Sequence, residues 1–144
     1  MISNQILQDT VTGIKSITRV ELCVMDTEGK ILATTMRGME EYEDEVVKFS
    51  ESAADSQVIR GFQFFKVYDE NELEYVILAK GDAEDVYMIG KMATFQIQNL
   101  LVAYKERFDK DNFIKNLLLD NLLLVDIYNL SLIHISEPTR HSLI

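Results

Sequence analysis

Residues 85–128, DVYMIGKMATFQIQNLLVAYKERFDKDNFIKNLLLDNLLLVDIY, contain no proline and a single glycine, Gly90. Leu, Ile, Met, Ala, Lys, Gln and Glu fill the stretch, so nothing interrupts a long helix. If continuous it spans about 60 Å at ~1.5 Å per residue. A small domain rarely needs such a helix to close its own core. The economical expectation is that its first half packs on a domain, while its second half meets a partner chain or carries a signal onward.

The rest of the chain is short. At 144 residues, 47% apolar and 26% charged, it suits one globular domain plus an extension. No run of about 18 uncharged apolar residues occurs, and MISNQILQDT lacks the basic start and apolar core of a signal peptide. A cytoplasmic location without membrane contact is therefore expected. The one cysteine, Cys23, has no intrachain partner and fits a reducing compartment as a buried strand residue. A formal charge of -10 argues against this segment gripping nucleic acid, so DNA contact is expected only through a C-terminal domain not present here.

Local patterning gives the order of elements. Residues 3–17 carry Ile6, Leu7, Val11, Ile14 and Ile17 at helical spacing, with Ser3 or Asn4 able to cap and Gly13 weakening the end. Residues 18–25 (TRVELCVM) alternate as a strand, 26–29 (DTEG) make a turn, and 30–36 (KILATTM) pair back. The acidic run Glu40, Glu41, Glu43, Asp44, Glu45 suits the positive end of a short helix starting near Met39; it lacks the ligand alternation of a calcium loop. A short strand at 57–59 precedes a hairpin of 62–68 (FQFFKVY) and 73–80 (LEYVILAK), after which Asp82 or Asp85 caps the long helix.

Two antiparallel hairpins sharing a five-stranded sheet in the order 2-1-5-4-3, with helices mainly on one face, make an α+β domain. The arrangement is similar to PAS and profilin-like sensor domains. Residues 1–108 are read as the sensor and 109–129 as a helical connector, with a bend expected at Asp109-Lys110-Asp111-Asn112. LSLIHISEPTR at 130–140 resembles the translation of a transposase adapter from tagmentation sequencing libraries, so 130–144 are read as an adapter remnant on a truncated gene. Both histidines and the only proline lie there, which leaves residues 1–129 without histidine.

This chemistry disfavours catalysis. A Ser/His/Asp triad, a Cys/His pair and a histidine-held metal are all out of reach, and no phosphate-cradling glycine loop occurs. No enzyme activity, metal or cofactor is expected. Binding remains: Thr34, Thr35, Arg37, Lys66 and Tyr68 are donors that an anionic metabolite would use. The alternative is that Arg37 and Lys66 are ordinary solvated side chains. On the long helix, Ile89, Ala93, Ile97, Leu100, Tyr104 and Phe108 can face the sheet, whereas Met88, Met92, Phe95 and Val102 lie on another side. That second stripe suggests a homodimer; a helix buried all round in one domain is the competing explanation.

VMDTEGKILATT (24–35), between an N-terminal helix and the later hairpin, resembles the sugar-diacid-recognition domain of carbohydrate diacid regulators, and NFIKNLLLDNLLLVDIYN (112–129) looks like their helical connector. The likeness spans nearly all of residues 1–129. It implies the ligand-sensing, dimerising N-terminal module of a cytoplasmic bacterial transcription regulator, signalling through its long helix, with Arg37 in MRGMEEYEDEVVKF matching the family arginine. The alternative is a ligand-free dimerisation scaffold of the profilin or roadblock type. A cavity lined by Arg37, Lys66 or Tyr68 would favour sensing, and a solid core there the scaffold.

Overall fold

The computed structural model describes the backbone of residues 2–135 and the side chains of residues 2–119. Two compact units divide the chain, Met1–Tyr104 and a second beginning at Lys105.

The first unit opens with helix α1 (Asn4–Thr18), where Ser3 Oγ accepts from the Ile6 amide at 3.3 Å, leaving one fewer orphan donor in the first turn. Leu7 and Val11 are buried and Ile6 and Ile14 partly so, as the helical spacing requires. Ile17 departs from that stripe: it is 83% exposed. The expected strand from residue 18 starts later, because α1 runs through Thr18 and turns at Arg19 in a left-handed conformation, φ 65°. Thr18 Oγ1 accepts from Val20 N at 3.2 Å, which holds that turn.

Strands β1 (Leu22–Met25) and β2 (Ile31–Thr34) form the first hairpin. Asp26 Oδ1 accepts from the amides of Glu28 and Lys30, each at 2.9 Å. Gly29 is required twice over at this turn. Its φ is +87°, and a side chain there would meet the Glu43 backbone at 3.0 Å.

A 3-10 turn (Met39–Tyr42) leads into helix α2 (Glu43–Glu51), followed by β3 (Ser56–Ile59), β4 (Phe62–Asp69) and β5 (Glu72–Lys80). Every neighbour pair is antiparallel, and the sheet order is β2-β1-β5-β4-β3, the order expected. The fold is α+β: a five-stranded antiparallel sheet with flanking helices and the long helix α3 (Glu84–Ile135).

Helices cover both faces of this sheet, and not mainly one face as the sequence suggests. On one, α1 and α3 bury Leu22, Val24, Phe65, Val67, Tyr75 and Ile77. On the other, the 3-10 turn and α2 bury Cys23, Met25, Phe62, Phe64, Val76 and Leu78 against Met39, Val46 and Phe49. Doubly covered strands lose the apolar/polar alternation of a half-exposed sheet. Six consecutive residues of β4, Phe62 to Val67, are accordingly buried, Gln63 and Lys66 included.

Neither Asp82 nor Asp85 occupies the cap position of α3, which begins at Glu84. The Ala83 carbonyl instead accepts from Tyr87 N at 3.1 Å and from Gln63 Nε2 at 3.0 Å, tying the first turn to β4. Val86, Ala93, Ile97 and Leu101 are buried on the sheet side, with Ile89, Leu100 and Tyr104 partly buried beside them. Phe108, expected on the sheet, is 64% exposed. Helical backbone bonding continues through 109–112, where a bend was expected, because no residue there lacks an amide or breaks the ladder. The adapter-like residues 130–144 lie outside the described side chains.

Gly90 lies against Phe65, whose ring occupies the space a β-carbon would take. Gly90→Ala is therefore expected to destabilise by roughly 1–3 kcal/mol through overpacking, despite alanine's better helix propensity. Gly13, in α1 with nothing near its missing β-carbon, is the control. Gly13→Ala should stabilise by about 0.5–1 kcal/mol. Urea unfolding followed by circular dichroism reads both.

Candidate functional site

The five donors expected around a ligand are at the β2 end and on β4, and the fold uses four of them internally. Thr34 Oγ1 donates to the Met36 carbonyl at 2.9 Å and accepts from Met36 N at 3.1 Å. Its backbone is held from the other side by the Gln8 amide, which accepts from Thr34 N at 3.0 Å and donates to Thr34 O at 2.9 Å. That pair satisfies polar groups of an edge strand which would otherwise be open.

Thr35 Oγ1 donates to Glu21 Oε2 at 2.7 Å and accepts from Leu22 N at 2.9 Å. Lys15 Nζ sits 2.8 Å from Glu21 Oε1. The Lys15 hydrogen bond, then that of Thr35, holds the Glu21 carboxyl below its ordinary value. This network fastens α1 to the first hairpin.

Lys66 is 5% exposed. Its Nζ donates to the carbonyl of Ser52, the residue that ends α2, and lies 5.1 Å from the Phe49 ring centroid. A cation at a helix C-terminus meets the negative end of the dipole and an unpaired carbonyl. The ammonium thus anchors α2 to β4. Tyr68 Oη donates to Asp55 Oδ1 at 3.4 Å, and burial, followed by the Asp55 charge, raises the phenol above its ordinary value.

Arg37 alone of the five is exposed. Beside it in sequence run Glu40, Glu41, Glu43, Asp44 and Glu45. Glu45 pairs with Arg60 at 3.0 Å, and Arg60 also stacks 4.7 Å from the Tyr42 ring centroid. Between the sheet and α2 the space is filled by Met39, Val46, Phe49, Phe62 and Phe64, with Phe49 edge-on to Phe64 at 5.5 Å. Burial there pushes the Cys23 thiol up to about 12. Among the described residues no group of three or more His, Cys, Asp or Glu side chains is placed to hold a metal.

A concave feature lies on the opposite face, between α1 and α3. A groove of about 370 Å³ is lined by Gly13, Ile14, Ile17, Ile89 and Met92, with Asp9, Thr10, Thr18 and Gln96 around them. Gly13, which read as a weak point of the helix, leaves this groove open. Next to it, Met88, Met92, Phe95 and Val102 are 60%, 67%, 67% and 55% exposed, so the fold does not bury α3 all round. The sheet-facing residues at 86, 90, 93, 97, 101 and 104 and the outward residues at 88, 92, 95 and 102 fall on roughly opposite sides of the helix at ~3.6 residues per turn.

Lys66→Ala should cost about 2–4 kcal/mol by stranding the Ser52 carbonyl and emptying packed space. Arg37→Ala should leave the unfolding midpoint unchanged, since its side chain is exposed. Chemical denaturation of both variants separates an anchor from a surface cation.

No helix among the described residues is long and apolar enough to cross a membrane. No protein-family model and no curated protein matches the chain.

Proposed function

We propose that the chain is a homodimerising module of a cytoplasmic bacterial transcription regulator, with α3 serving both as dimer interface and as the element that passes a change onward. The observation that carries this reading is the outward stripe of Met88, Met92, Phe95 and Val102. It is the expected dimerisation set, and it stays exposed among the described residues. Exposed apolar side chains in a contiguous run mark an interaction surface.

Charge supports a second copy as the occupant. The chain carries 24 acidic residues in 144, yet residues 88–102 contain none, and Lys91 is their only charged residue. Two such faces meet with little of the repulsion that a net charge of -10 imposes elsewhere. The regulator assignment rests on the likeness of residues 24–35 and 112–129 to carbohydrate diacid regulators. DNA contact belongs to a further domain in that reading.

Expected for this dimer is that Met92→Glu with Phe95→Glu weakens association ~100-fold or more, about 2.7 kcal/mol, by burying like charges. Sedimentation velocity should then give a monomer with an unchanged circular dichroism spectrum, because both positions are exposed. A wild-type chain that stays monomeric at high concentration overturns the reading.

A specific observation favours the ligand-free scaffold over a sugar-diacid sensor. The interior on the α2 face is filled, and Thr34, Thr35, Lys66 and Tyr68 are committed to Met36, Glu21, Ser52 and Asp55. A small dicarboxylate at Arg37 would also approach the acidic start of α2. Thermal shift against dicarboxylates and sugar acids is expected to give no stabilisation. A ligand at ~100 times its dissociation constant adds about 2.7 kcal/mol, enough to raise the midpoint by several degrees. Such a rise, abolished by Arg37→Ala, would restore the sensor.

A further inference from the structure

The dimer reading leaves open how two copies face each other, and the outward face of α3 contains the information. The uncovered positions 88, 92, 95, 99 and 102 follow one another at spacings of four, three, four and three, the seam of a coiled coil. Four are the exposed apolar residues already named; the fifth is Asn99, also exposed. The sheet lies on the other side of α3, and α1 flanks the seam only at Met92 among the described residues.

Met88, Met92, Phe95 and Val102 are each more than half exposed, so a pair along this seam buries at least these four apolar side chains of each copy. Such a burial tolerates few unsatisfied polar groups. Asn99 then decides the orientation.

We infer that two copies pair their α3 helices in parallel and in register, with Asn99 meeting the Asn99 of the second copy. In this arrangement each side-chain amide, a donor and an acceptor together, hydrogen-bonds its counterpart within the apolar seam. In an antiparallel pair centred on Phe95, Asn99 faces Met92. An amide buried against a thioether loses its water without gaining a comparable bond. A single asparagine at such a seam position fixes register and strand number at some cost in stability. Parallel pairing also sends both chains on from the same end of the interface, which a shared output requires.

The inference rests on the dimer proposed above, and single-cysteine cross-linking of the full chain separates the two. Cys23 is buried with its thiol raised to about 12, so mild oxidation reports introduced cysteines. Met88 and Val102 lie ~21 Å apart along the helix. Met88→Cys and Val102→Cys, each alone, are expected to form disulfide dimers nearly completely, since each position meets its own counterpart. No antiparallel pair allows both. A chain that sediments as a dimer but links only when the two variants are mixed overturns the parallel register and leaves the dimer intact. A monomer with no cross-link in any combination removes both. Asn99→Val supplies the second readout: it should tighten the dimer tenfold or more and let the mixed Met88/Val102 cross-link appear. Tightening without mixed cross-links would show that Asn99 does not select orientation.

Discussion

Gly90 against the ring of Phe65 sets how α3 lies on the sheet. A helix that brings its backbone onto an aromatic ring needs a residue without a side chain at the point of closest approach, and this contact fixes the rotation of the helix about its axis. With Gly90 inward, Val86, Ala93, Ile97 and Leu101 follow it onto the sheet at spacings of three and four. Met88, Met92, Phe95, Asn99 and Val102 must then point away. The surface through which the chain is proposed to meet its copy is thus a consequence of an internal packing contact, and a twist of about one residue would bury part of that surface and expose part of the core.

The second constraint is the double cover of the sheet. Because α2 closes the face away from α1 and α3, Lys66 cannot remain wet and must find a partner nearby, while Tyr68 at the end of β4 stays partly exposed. Lys66 reaches the Ser52 carbonyl and Tyr68 reaches Asp55, both in the segment that joins α2 to β3. These interactions bind a loop to a strand and use up the donors a ligand would need. A buried cation that already completes a helix terminus is costly to redirect, since freeing it would strand a carbonyl and a charge together. The site that looked chemical in sequence is part of what holds α2 down.

Local signals were readable wherever the determining residues lie close in the chain. Ser3 as a cap, the Asp26 turn ending in Gly29, and the hairpin of β4 and β5 all depend on short-range periodicity or turn chemistry, whereas the sheet order 2-1-5-4-3 rests on the distant pairing of β1 with β5 and was expected from the likeness to PAS and profilin-like domains. The outward stripe of α3 was also readable, because helical spacing separates it from the sheet-facing set. What periodicity did not contain was the partner of each polar side chain. Glu21 for Thr35, Gln8 for Thr34 and Asp55 for Tyr68 are separated in sequence and meet only after the hairpins assemble. The groove between α1 and α3 was hidden for the same reason. Gly13 and Ile17 read as a loosening helix end and the tail of an apolar stripe, and only the placement of α3 beside them makes a concave wall.

These constraints also bear on which kind of module the chain is. A sensor that moves its output helix needs a cavity whose filling changes the packing beneath that helix. On the α2 face Phe49, Phe62 and Phe64 are packed in the core, and the groove lies elsewhere. On the α3 side, contact with the sheet runs through Gly90, whose backbone meets the Phe65 ring, and through Val86, Ala93, Ile97 and Leu101. A closely packed helix of this kind transmits orientation faithfully and is poorly suited to repacking under a small ligand. The groove at α1 is different: Met92 lines it and also belongs to the outward stripe, so a group in the groove and the proposed pairing of α3 would share a side chain. If the chain pairs as proposed, a ligand would couple to that pairing most directly there, by competing with or completing the dimer, and not through the buried cation on β4.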